Sequence, residues 1–537
     1  MMFKPTTLAT AFLFVLLFAL GACQQSSAPA PSDTAPDPIK LEGARPVTDI
    51  ERMLSEIAEL SSDAYGGREP MSEGERLTLE FIESRFRDLG LQPLFGDSYL
   101  QPVDLVSIES DPATVQMTFH LDGKDRLVRH QDEMVAATTR AVPESRVESS
   151  EVVFVGYGIV APEYGWNDYA DVDVRGKTVL ILINDPGFAT QDPALFKGNA
   201  MTYYGRWTYK YEEAARQGAA AAVIIHDTAP AAYGWDVVRN SWSGPQFHLH
   251  RDNDNMDHVS IESWIRRSIA EEVVAAAGLD LAALEQQALS PEFKAVTLGS
   301  TMDASVQNRV VRNLSYNIGA LQSGSVRPDE LFIYTAHWDH IGTDDSVAAG
   351  EDGIYNGAVD NATGIAALLE LARSFAALPR APERSVAFLA VTAEESGLLG
   401  SAYYASHPPL PMRNTVGGIN MDAMHVYGPT RDVVVVGYGS SELEDVLREK
   451  AAAQERVVEP EEHPERGGYY RSDHFNFARQ GVPMLYAESG SDHRELGPAY
   501  VEAKSRQYDE QRYHTALDEV APDWDVRGLE PDMEMCF

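Results

Sequence analysis

The stretch that decides the fold reads L-F-I-Y-T-A-H-W-D-H over residues 331–340 and Y-N-G-A-V-D-N-A-T-G over residues 355–364. Its first residues are apolar and aromatic, which is typical of a buried strand. His337 and Asp339 stand two positions apart at the end of this strand, so both side chains can point to one face. From Asn361 onward, apolar residues recur at spacings of three and four, which predicts a helix. An imidazole beside carboxylates suggests a metal site; the alternative is that His337 only closes the strand.

Beyond Gly299 the chain alternates between short apolar runs and helical patterns. This alternation predicts an α/β fold in which helices cover both faces of a sheet. Such sheets bind their ligands at the carboxyl ends of the strands. We expect strands at 310–318, 331–335, 385–391, 416–421, 433–437 and 483–486, and helices near 361–377, 397–405, 442–454 and 474–480.

The later strands of this part run into residues that can do chemistry. The segments read T-A-E-E-S-G-L-L-G-S at 392–401, N-M-D at 420–422 and Y-H-T-A-L-D at 513–518. With the first stretch they supply histidines and carboxylates at the ends of strands and loops. Zinc binds imidazole and carboxylate readily, and two adjacent metal ions need a bridging ligand such as a carboxylate. The inventory therefore fits a metal centre.

These motifs resemble, in order and approximate spacing, those of the di-zinc aminopeptidase family. The family includes the aminopeptidase Y and aminopeptidase S types and, more distantly, glutamate carboxypeptidases and glutaminyl cyclases. The resemblance covers residues 48–520. It implies the zinc aminopeptidase fold, a mixed, mostly parallel sheet flanked by helices. It also implies a hydrolase that acts on peptide bonds with two zinc ions as cofactors.

The resemblance assigns five metal ligands and one general base. The ligands are His337 and Asp422 on one zinc, Glu395 and His514 on the other, and Asp360 bridging both. Glu394 takes the position of the base. It would accept a proton from the attacking water and deliver it to the leaving amine.

Two further residues receive roles from the resemblance. Asp339 matches the carboxylate that orients the metal-binding histidine through its other ring nitrogen. Tyr513 matches a tyrosine that stabilises the transition state in some members, and packing is its alternative role. The resemblance also implies a cis peptide bond after Asp360. The histidines that compete with this set are His340, His425, His474 and His493, of which His474 is the best pocket candidate.

Residues 111–299 have a different character, with short β runs between glycine and proline turns. One clear helical pattern interrupts them, at 209–217. The wording V-F-V-G-Y-G-I-V-A-P-E-Y-G-W-N-D-Y over 153–169 resembles the protease-associated domain inserted in some secreted peptidases. We therefore expect an inserted β-rich domain that contacts substrate or a partner protein. His248 and His250 near acidic residues suggest either a second metal site or, preferably, an acidic surface loop.

The amino terminus reads as an export signal. Residues 1–22 form a signal peptide with a short basic start and an apolar core too short to span a membrane. L-G-A-C at 20–23 resembles the lipobox of bacterial lipoproteins, which implies a lipid anchor on Cys23; the alternative is ordinary cleavage beside an incidental cysteine. Residues 23–45 are a flexible spacer. The expected location is exported and lipid-anchored, on the outer membrane facing the periplasm or the cell surface.

The remaining boundaries complete this organisation. Residues 46–110 form the first part of the peptidase domain, 300–525 its main part, and 526–537 a tail. The chain of 537 residues has two cysteines, which gives no disulfide framework. Its formal net charge of −39 argues against a nucleic-acid partner.

The function expected from all of this is a metallo-aminopeptidase that removes amino-terminal residues from peptides. One alternative is a carboxypeptidase or dipeptidase, which would need an arginine such as Arg466, Arg471 or Arg494 to hold the substrate carboxylate. Glutaminyl cyclisation is less favoured, because the complete set of ligands is retained. A binding module of the transferrin-receptor type is disfavoured for the same reason.

Overall fold

The computed structural model describes residues 46–344, 347–348 and 350–537. The predicted signal peptide, the cysteine proposed for lipid attachment and the spacer lie outside the described residues. Within the described ranges, no helix combines the length and the apolar character needed to cross a membrane.

The strands and helices alternate along most of the described chain. The strands are β1 (Gln92–Pro93), β2 (Leu100–Ser110), β3 (Gln116–Leu121), β4 (Lys124–Leu127), β5 (Met134–Ala137), β6 (Glu144–Phe154), β7 (Val160–Ala161), β8 (Trp166–Asn167), β9 (Thr178–Leu182), β10 (Ala221–His226), β11 (Gln246–Leu249), β12 (Ile261–Arg266), β13 (Val296–Gln322), β14 (Arg327–His337), β15 (Gly342–Thr343), β16 (Ile354–Tyr355), β17 (Arg384–Val391), β18 (Thr415–Asn420), β19 (Asp432–Val435), β20 (Val457–Pro460) and β21 (Met484–Ser489). The α-helices are α1 (Ile50–Leu60), α2 (Glu73–Asp88), α3 (Pro186–Thr190), α4 (Trp207–Arg216), α5 (Thr228–Ala231), α6 (Trp235–Ser241), α7 (Arg267–Ala276), α8 (Leu281–Gln287), α9 (Thr363–Ala376), α10 (Leu399–Ser406), α11 (Leu443–Ala453), α12 (His474–Ala478), α13 (Pro498–Gln511) and α14 (Leu529–Cys536).

A mixed sheet organises the carboxyl-terminal part of the chain. β14 pairs in parallel with β17 on one side and with β18 on the other, and β18 pairs in parallel with β21. β13 pairs antiparallel with β17 and with β2. Helices flank this sheet, which confirms the predicted fold class of a mixed sheet with helices around it. The parallel pairing brings the carboxyl ends of β14, β17 and β18 to one edge.

Helix α9 forms the core next to this edge. The helix predicted from apolar residues three and four apart is present, and its Leu368 and Leu369 are fully buried where α9 packs on β14 and β17. Burial of each leucine side chain contributes about 1.5–3 kcal/mol. Helix α1 packs on α9, where Arg52 pairs with the buried Glu370 at 2.6 Å. A buried carboxylate needs such a partner, so this pair fixes how α1 meets α9.

Residues 115–306 contain cores of their own. The parallel strands β9, β10 and β12 are almost wholly buried, and α7 packs against β10 and β12. Six helices, α3 to α8, lie in this part of the described chain, whereas the sequence pattern predicted one. All six helices have ten residues or fewer, which is too short for a clear helical period in the sequence. The assignment of residues 111–299 as a protease-associated domain stays a prediction.

The carboxyl terminus departs from expectation. The segment 526–537, predicted to be a tail, instead contains α14, whose Leu529 and Met533 are fully buried in the same core as α9. The Tyr334 hydroxyl also donates a hydrogen bond to the carbonyl of Cys536 at 2.8 Å. Leu529 and Met533 stand four residues apart, so both lie on one face of the helix and can pack into this core. Helix α13 was not predicted either, since its sequence is mostly polar.

Candidate metal centre

The carboxyl ends of three adjacent parallel strands position most of the predicted site. His337 is the last residue of β14, and Asp422 follows the end of β18 by two residues. Glu394 and Glu395 follow β17, which ends at Val391. Because these strands run side by side in one direction, their ends meet, and the side chains beyond them converge.

His337 lies in the first group of possible metal ligands. Its Nε2 is 3.2 Å from Oδ1 of Asp360 and 3.1 Å from Oδ1 of Asp422. The three side chains offer donor atoms within 4.8 Å of one another. One imidazole and two carboxylates at this spacing form a suitable donor set for zinc.

His514 lies on the other side of Asp360. Its Nε2 is 3.3 Å from Oδ2 of Asp360 and 3.0 Å from Oε2 of Glu395. Each oxygen of Asp360 therefore faces one histidine, as a bridging carboxylate requires. The same Nε2 has no hydrogen-bond partner among the described residues. A buried nitrogen that faces two carboxylates without bonding either fits a metal ligand.

The turn that carries Asp360 has an unusual backbone. The peptide bond between Asp360 and Asn361 is cis, as the resemblance implied. The Asn361 amide donates to the carbonyl of Met421 at 3.0 Å, and its oxygen accepts from the N–H groups of Gly364 and Ala423. Asn361 thus joins the turn to the segment that carries Asp422.

Two polar residues contact the ligand set without having been assigned to it from the sequence. The Nδ1 of His340 is 2.6 Å from Oε1 of Glu395, and His340 forms a further potential donor group with Asp360 and Glu395. Ser472 donates to Oδ2 of Asp422 at 2.5 Å. From the sequence alone, His340 is only an alternative to the assigned ligands. Its position three residues after His337, in the motif H-W-D-H, is the sequence feature that places it near the site. No sequence signal pointed to Ser472.

Asp339 contacts the site differently from the prediction. The Nδ1 of His337 is 3.1 Å from the backbone carbonyl of Asp339, whereas the carboxylate is 3.9 Å away. That carboxylate instead accepts the N–H groups of Glu394 at 3.1 Å and Glu395 at 3.4 Å. The expectation that the carboxylate bonds the ring is thus corrected. The backbone turns after β14 and brings the carbonyl of Asp339 to the His337 ring. The Asp339 carboxylate instead accepts hydrogen bonds from the loop that carries Glu394 and Glu395.

Glu394 and Tyr513 border the cluster. Oε2 of Glu394 is 3.9 Å from Nε2 of His337, and burial raises the pKa of Glu394 well above its usual value. The Tyr513 ring stacks on His514 with centroids 3.9 Å apart. A carboxyl group with a raised pKa beside the ligands is suited to proton transfer.

The electrostatics favour positive charge within the cluster. Burial lowers the pKa of His337, but the charges of Asp422 and Glu394 outweigh it and raise the pKa well above the usual value. The same competition, with Glu395 as the main partner, raises the pKa of His514 to about 10. Burial raises the pKa of Glu395, but His514 and His340 together outweigh burial and lower that pKa to about 2. Carboxylates that hold protons on imidazoles this strongly will also attract a divalent cation.

The other candidate histidines have different surroundings. His474 is fully buried between Tyr469 and Tyr486, and burial lowers its pKa to about 3. His493 accepts the N–H groups of Glu495 and Leu496. These contacts indicate structural roles for both histidines.

The His248 and His250 region gains no support as a metal site. Nε2 of His250 is 3.3 Å from Oδ1 of Asp254, and Nδ1 of His258 is 3.8 Å from Oε1 of Glu262. Across the described ranges, the groups with metal-binding spacing all belong to the cluster around Asp360.

A sheet edge that gathers two histidines and several carboxylates is typical of a metal-dependent hydrolase. Residues 317–528 match the model described as Peptidase family M28. The matched segment includes every predicted ligand, from His337 to His514. The fold is similar to that of the aminopeptidase from Aneurinibacillus sp. strain AM-1, with a TM-score of 0.50 and 20% identity over 91% of this chain and 93% of that one.

Two curated relatives share a shorter segment. A probable zinc metalloprotease of Pyricularia oryzae is 33% identical over 136 residues, 24% of this chain and 26% of that protein. Aminopeptidase NAALADL1 of Mus musculus is 33% identical over 129 residues, 23% of this chain and 16% of that protein. The matched segment thus spans about a quarter or less of the length of either relative.

Proposed function

We propose that the chain is a zinc-dependent aminopeptidase, which removes amino-terminal residues from peptides. The observation that carries the proposal is the placement of Asp360, whose two carboxylate oxygens face His337 and His514 separately. A carboxylate in this position can bridge two metal ions, and one such pair is the usual basis of two-metal peptide hydrolysis. The match of residues 317–528 to the model described as Peptidase family M28 supports the same reading.

Two zinc ions would be held by the five ligands around this bridge. His337 and Asp422 would hold one, and Glu395 and His514 the other. When bound, zinc would polarise the peptide carbonyl and lower the pKa of the attacking water. The donor set of imidazole and carboxylate is one that zinc accepts.

Glu394 would move the proton during hydrolysis. It would accept a proton from the attacking water and donate it to the leaving amine. Its neighbour Glu395 has the lowered pKa of a permanently ionised ligand, whereas burial raises the pKa of Glu394. This divergence between the pKa values of adjacent glutamates supports a metal-binding role for Glu395 and an acid–base role for Glu394.

A carboxypeptidase or dipeptidase is a second candidate, favoured by two arginines. Burial lowers the pKa of Arg471, but the charges of groups near it, among them Tyr513 and Glu394, outweigh burial and raise that pKa above its usual value. Arg206 approaches from the inserted segment, and its buried Nε has no hydrogen-bond partner among the described residues. Burial and the charge of Arg471 lower the pKa of Arg206 to about 10. Such a pair fits a substrate carboxylate.

Arg494, another of the three arginines considered from the sequence, already donates hydrogen bonds within the protein. Arg494 donates to the carbonyls of Thr430 at 3.1 Å and Gln454 at 2.6 Å. It is therefore not free to hold a substrate.

A peptide panel separates these candidates. One tetrapeptide is offered in three forms: free at both ends, acetylated at the amino end, and amidated at the carboxyl end. An aminopeptidase cleaves the free and amidated forms and not the acetylated one. Cleavage of the acetylated form with loss of the amidated one would replace the proposal by a carboxypeptidase.

We also infer that the enzyme works at a membrane surface, exported and lipid-anchored through Cys23. The support is the L-G-A-C motif after an apolar run, followed by a polar spacer. The variant Cys23→Ser should move the protein from the membrane fraction to the soluble fraction. Retention of the variant in the membrane fraction would contradict the anchor, and Cys536→Ser is the matched control.

A further inference from the structure

Asp518 is fully buried and collects three consecutive backbone N–H groups from the turn that carries Asp360. Its carboxylate accepts from Val359 at 3.1 Å and from Asp360 at 3.1 Å, and its carbonyl accepts from Ala358 at 2.9 Å. The Tyr508 hydroxyl donates to the same carboxylate at 3.2 Å. Among the described residues, the hydrogen bonds that join the Asp518 carboxylate to the Asp360 turn come from backbone N–H groups, so Asp518 positions Asp360 through the backbone.

The same residue belongs to the segment that carries His514. Asp518 lies four residues after His514, and its own N–H donates to the carbonyl of Thr515 at 3.2 Å in a tight turn. His514 has a left-handed backbone with φ of 56°, which a non-glycine residue keeps only when its surroundings hold it. Asp518 therefore joins the His514 segment to the Asp360 turn.

Arg68, rather than Asp518, joins the Asp360 turn to the strand end that carries His337. The buried guanidinium of Arg68 donates to the carbonyls of Asn356 at 2.6 Å and Gly357 at 2.8 Å, just before the turn. It also donates to the carbonyl of Trp338 at 2.9 Å, next to His337. The Asp360 turn is thus tied to His337 by Arg68 and to His514 by Asp518.

We propose that Asp518 is a positioning residue that sets His514 against the bridging Asp360, and so controls the affinity of one zinc position only. That position is the one formed by Glu395 and His514. The position formed by His337 and Asp422 keeps its own tie through Arg68 and does not depend on Asp518. This inference rests on the proposed two-zinc function.

The expected size of the effect follows from the contacts. In Asp518→Asn, one oxygen that accepts backbone N–H groups becomes an NH₂ group, which cannot accept. Loss of a residue that orients a metal ligand typically weakens metal binding by about 10–100-fold. We expect that loss at the second zinc and a change of less than about threefold at the first, within the range of ordinary hydrogen-bond effects.

The test is a zinc titration of the full chain against a chelator of known affinity, after removal of bound metal. Asp432→Asn is the matched control, because Asp432 is also buried and accepts two backbone N–H groups, from Ser491 at 2.7 Å and Asp492 at 2.8 Å. Among the described residues, the hydrogen-bond partners of the Asp432 carboxylate are Ser491 and Asp492, neither of which is a predicted ligand. Its variant should bind both zinc ions as the wild type does.

The outcomes separate this inference from the proposed function. Wild-type protein that binds fewer than two zinc ions would refute the proposed function itself. Wild type with two zinc ions, and Asp518→Asn with one tight and one weakened site, supports the inference. Equal weakening of both sites, or no weakening, overturns it while the proposed function stands.

A milder variant guards against failure of Asp518→Asn to fold. Tyr508→Phe removes one hydrogen bond to the Asp518 carboxylate and leaves the backbone contacts in place. It should weaken the binding of the second zinc by about threefold to tenfold, the usual net effect of losing one ordinary hydrogen bond. An unchanged second site in this variant would overturn the inference.

Discussion

Zinc binding should release about two protons near pH 7, because both histidines must lose a proton first. Burial lowers the pKa of His337 and His514, but the neighbouring carboxylates outweigh burial. They raise the pKa of His337 well above its usual value and that of His514 to about 10. Both rings are therefore protonated near neutrality when no zinc is bound. Zinc affinity should rise about 100-fold per pH unit in this range, tenfold for each proton released.

The raised pKa values fix the direction in which zinc affinity and stability change with pH. A raised pKa favours the protonated ring, so zinc affinity falls as the pH falls. In the chelator-stripped protein the same protons contribute stability, which is fully present below the ordinary histidine pKa of about 6.5. That contribution is lost as the pH rises through the pKa of His514, about 10.

Titration calorimetry in buffers of different ionisation enthalpy counts the protons directly. The slope of the binding enthalpy against the buffer's ionisation enthalpy gives the number released. His514→Gln should lower the count by about one, because one titrating ligand is gone. His250→Gln should leave it unchanged, since His250 contacts Asp254 far from the ligand set in the chain. Zinc binding that releases no proton, or a zinc affinity that falls as the pH rises from about 6 to 8, would refute the reasoning.

Three further predictions test the base, the bridge and the core. Glu394→Gln should keep two zinc ions while kcat falls by about 10²–10⁴-fold, the usual contribution of a general base; kcat near that of the wild type would remove Glu394 from that role. Asp360→Asn should lower the zinc content measured after dialysis, because it weakens the one side chain that faces both histidines; undiminished zinc would contradict the bridge. Leu368→Ala should lower the free energy of unfolding by about 2–5 kcal/mol in a urea titration, since Leu368 is fully buried in α9. Leu127→Ala, at a side chain that is 62% exposed, is its control and should change that free energy by about 0.5 kcal/mol or less.

The local patterns predicted the elements that carry the site. The apolar run before His337 became β14, and the helical period after Asn361 became α9, which begins at Thr363. Both depend on side chains close in the sequence, which is why a periodicity argument reaches them. The spatial order of β13, β17, β14, β18 and β21 depends on long-range pairing and was outside the reach of such patterns.

In the candidate site, too, local sequence patterns predicted some features, and contacts between distant residues decided the others. The residue types and their strand-end positions predicted a metal centre, whereas the pairing of ligands came from the resemblance. The partner of the His337 ring was mistaken, because the choice between the carbonyl and the carboxylate of Asp339 depends on how the loop turns. Ser472 reaches Asp422 across 50 residues of sequence, and only the fold brings them together.

The most direct test of the two-zinc account is a crystal structure of the zinc-loaded protein with anomalous data at the zinc edge. The account predicts two peaks about 3.5–4 Å apart, one on either side of Asp360. One peak should lie between His337 and Asp422, and the other between Glu395 and His514. A single peak, or a second zinc bound by His340 in place of His514, would contradict the account.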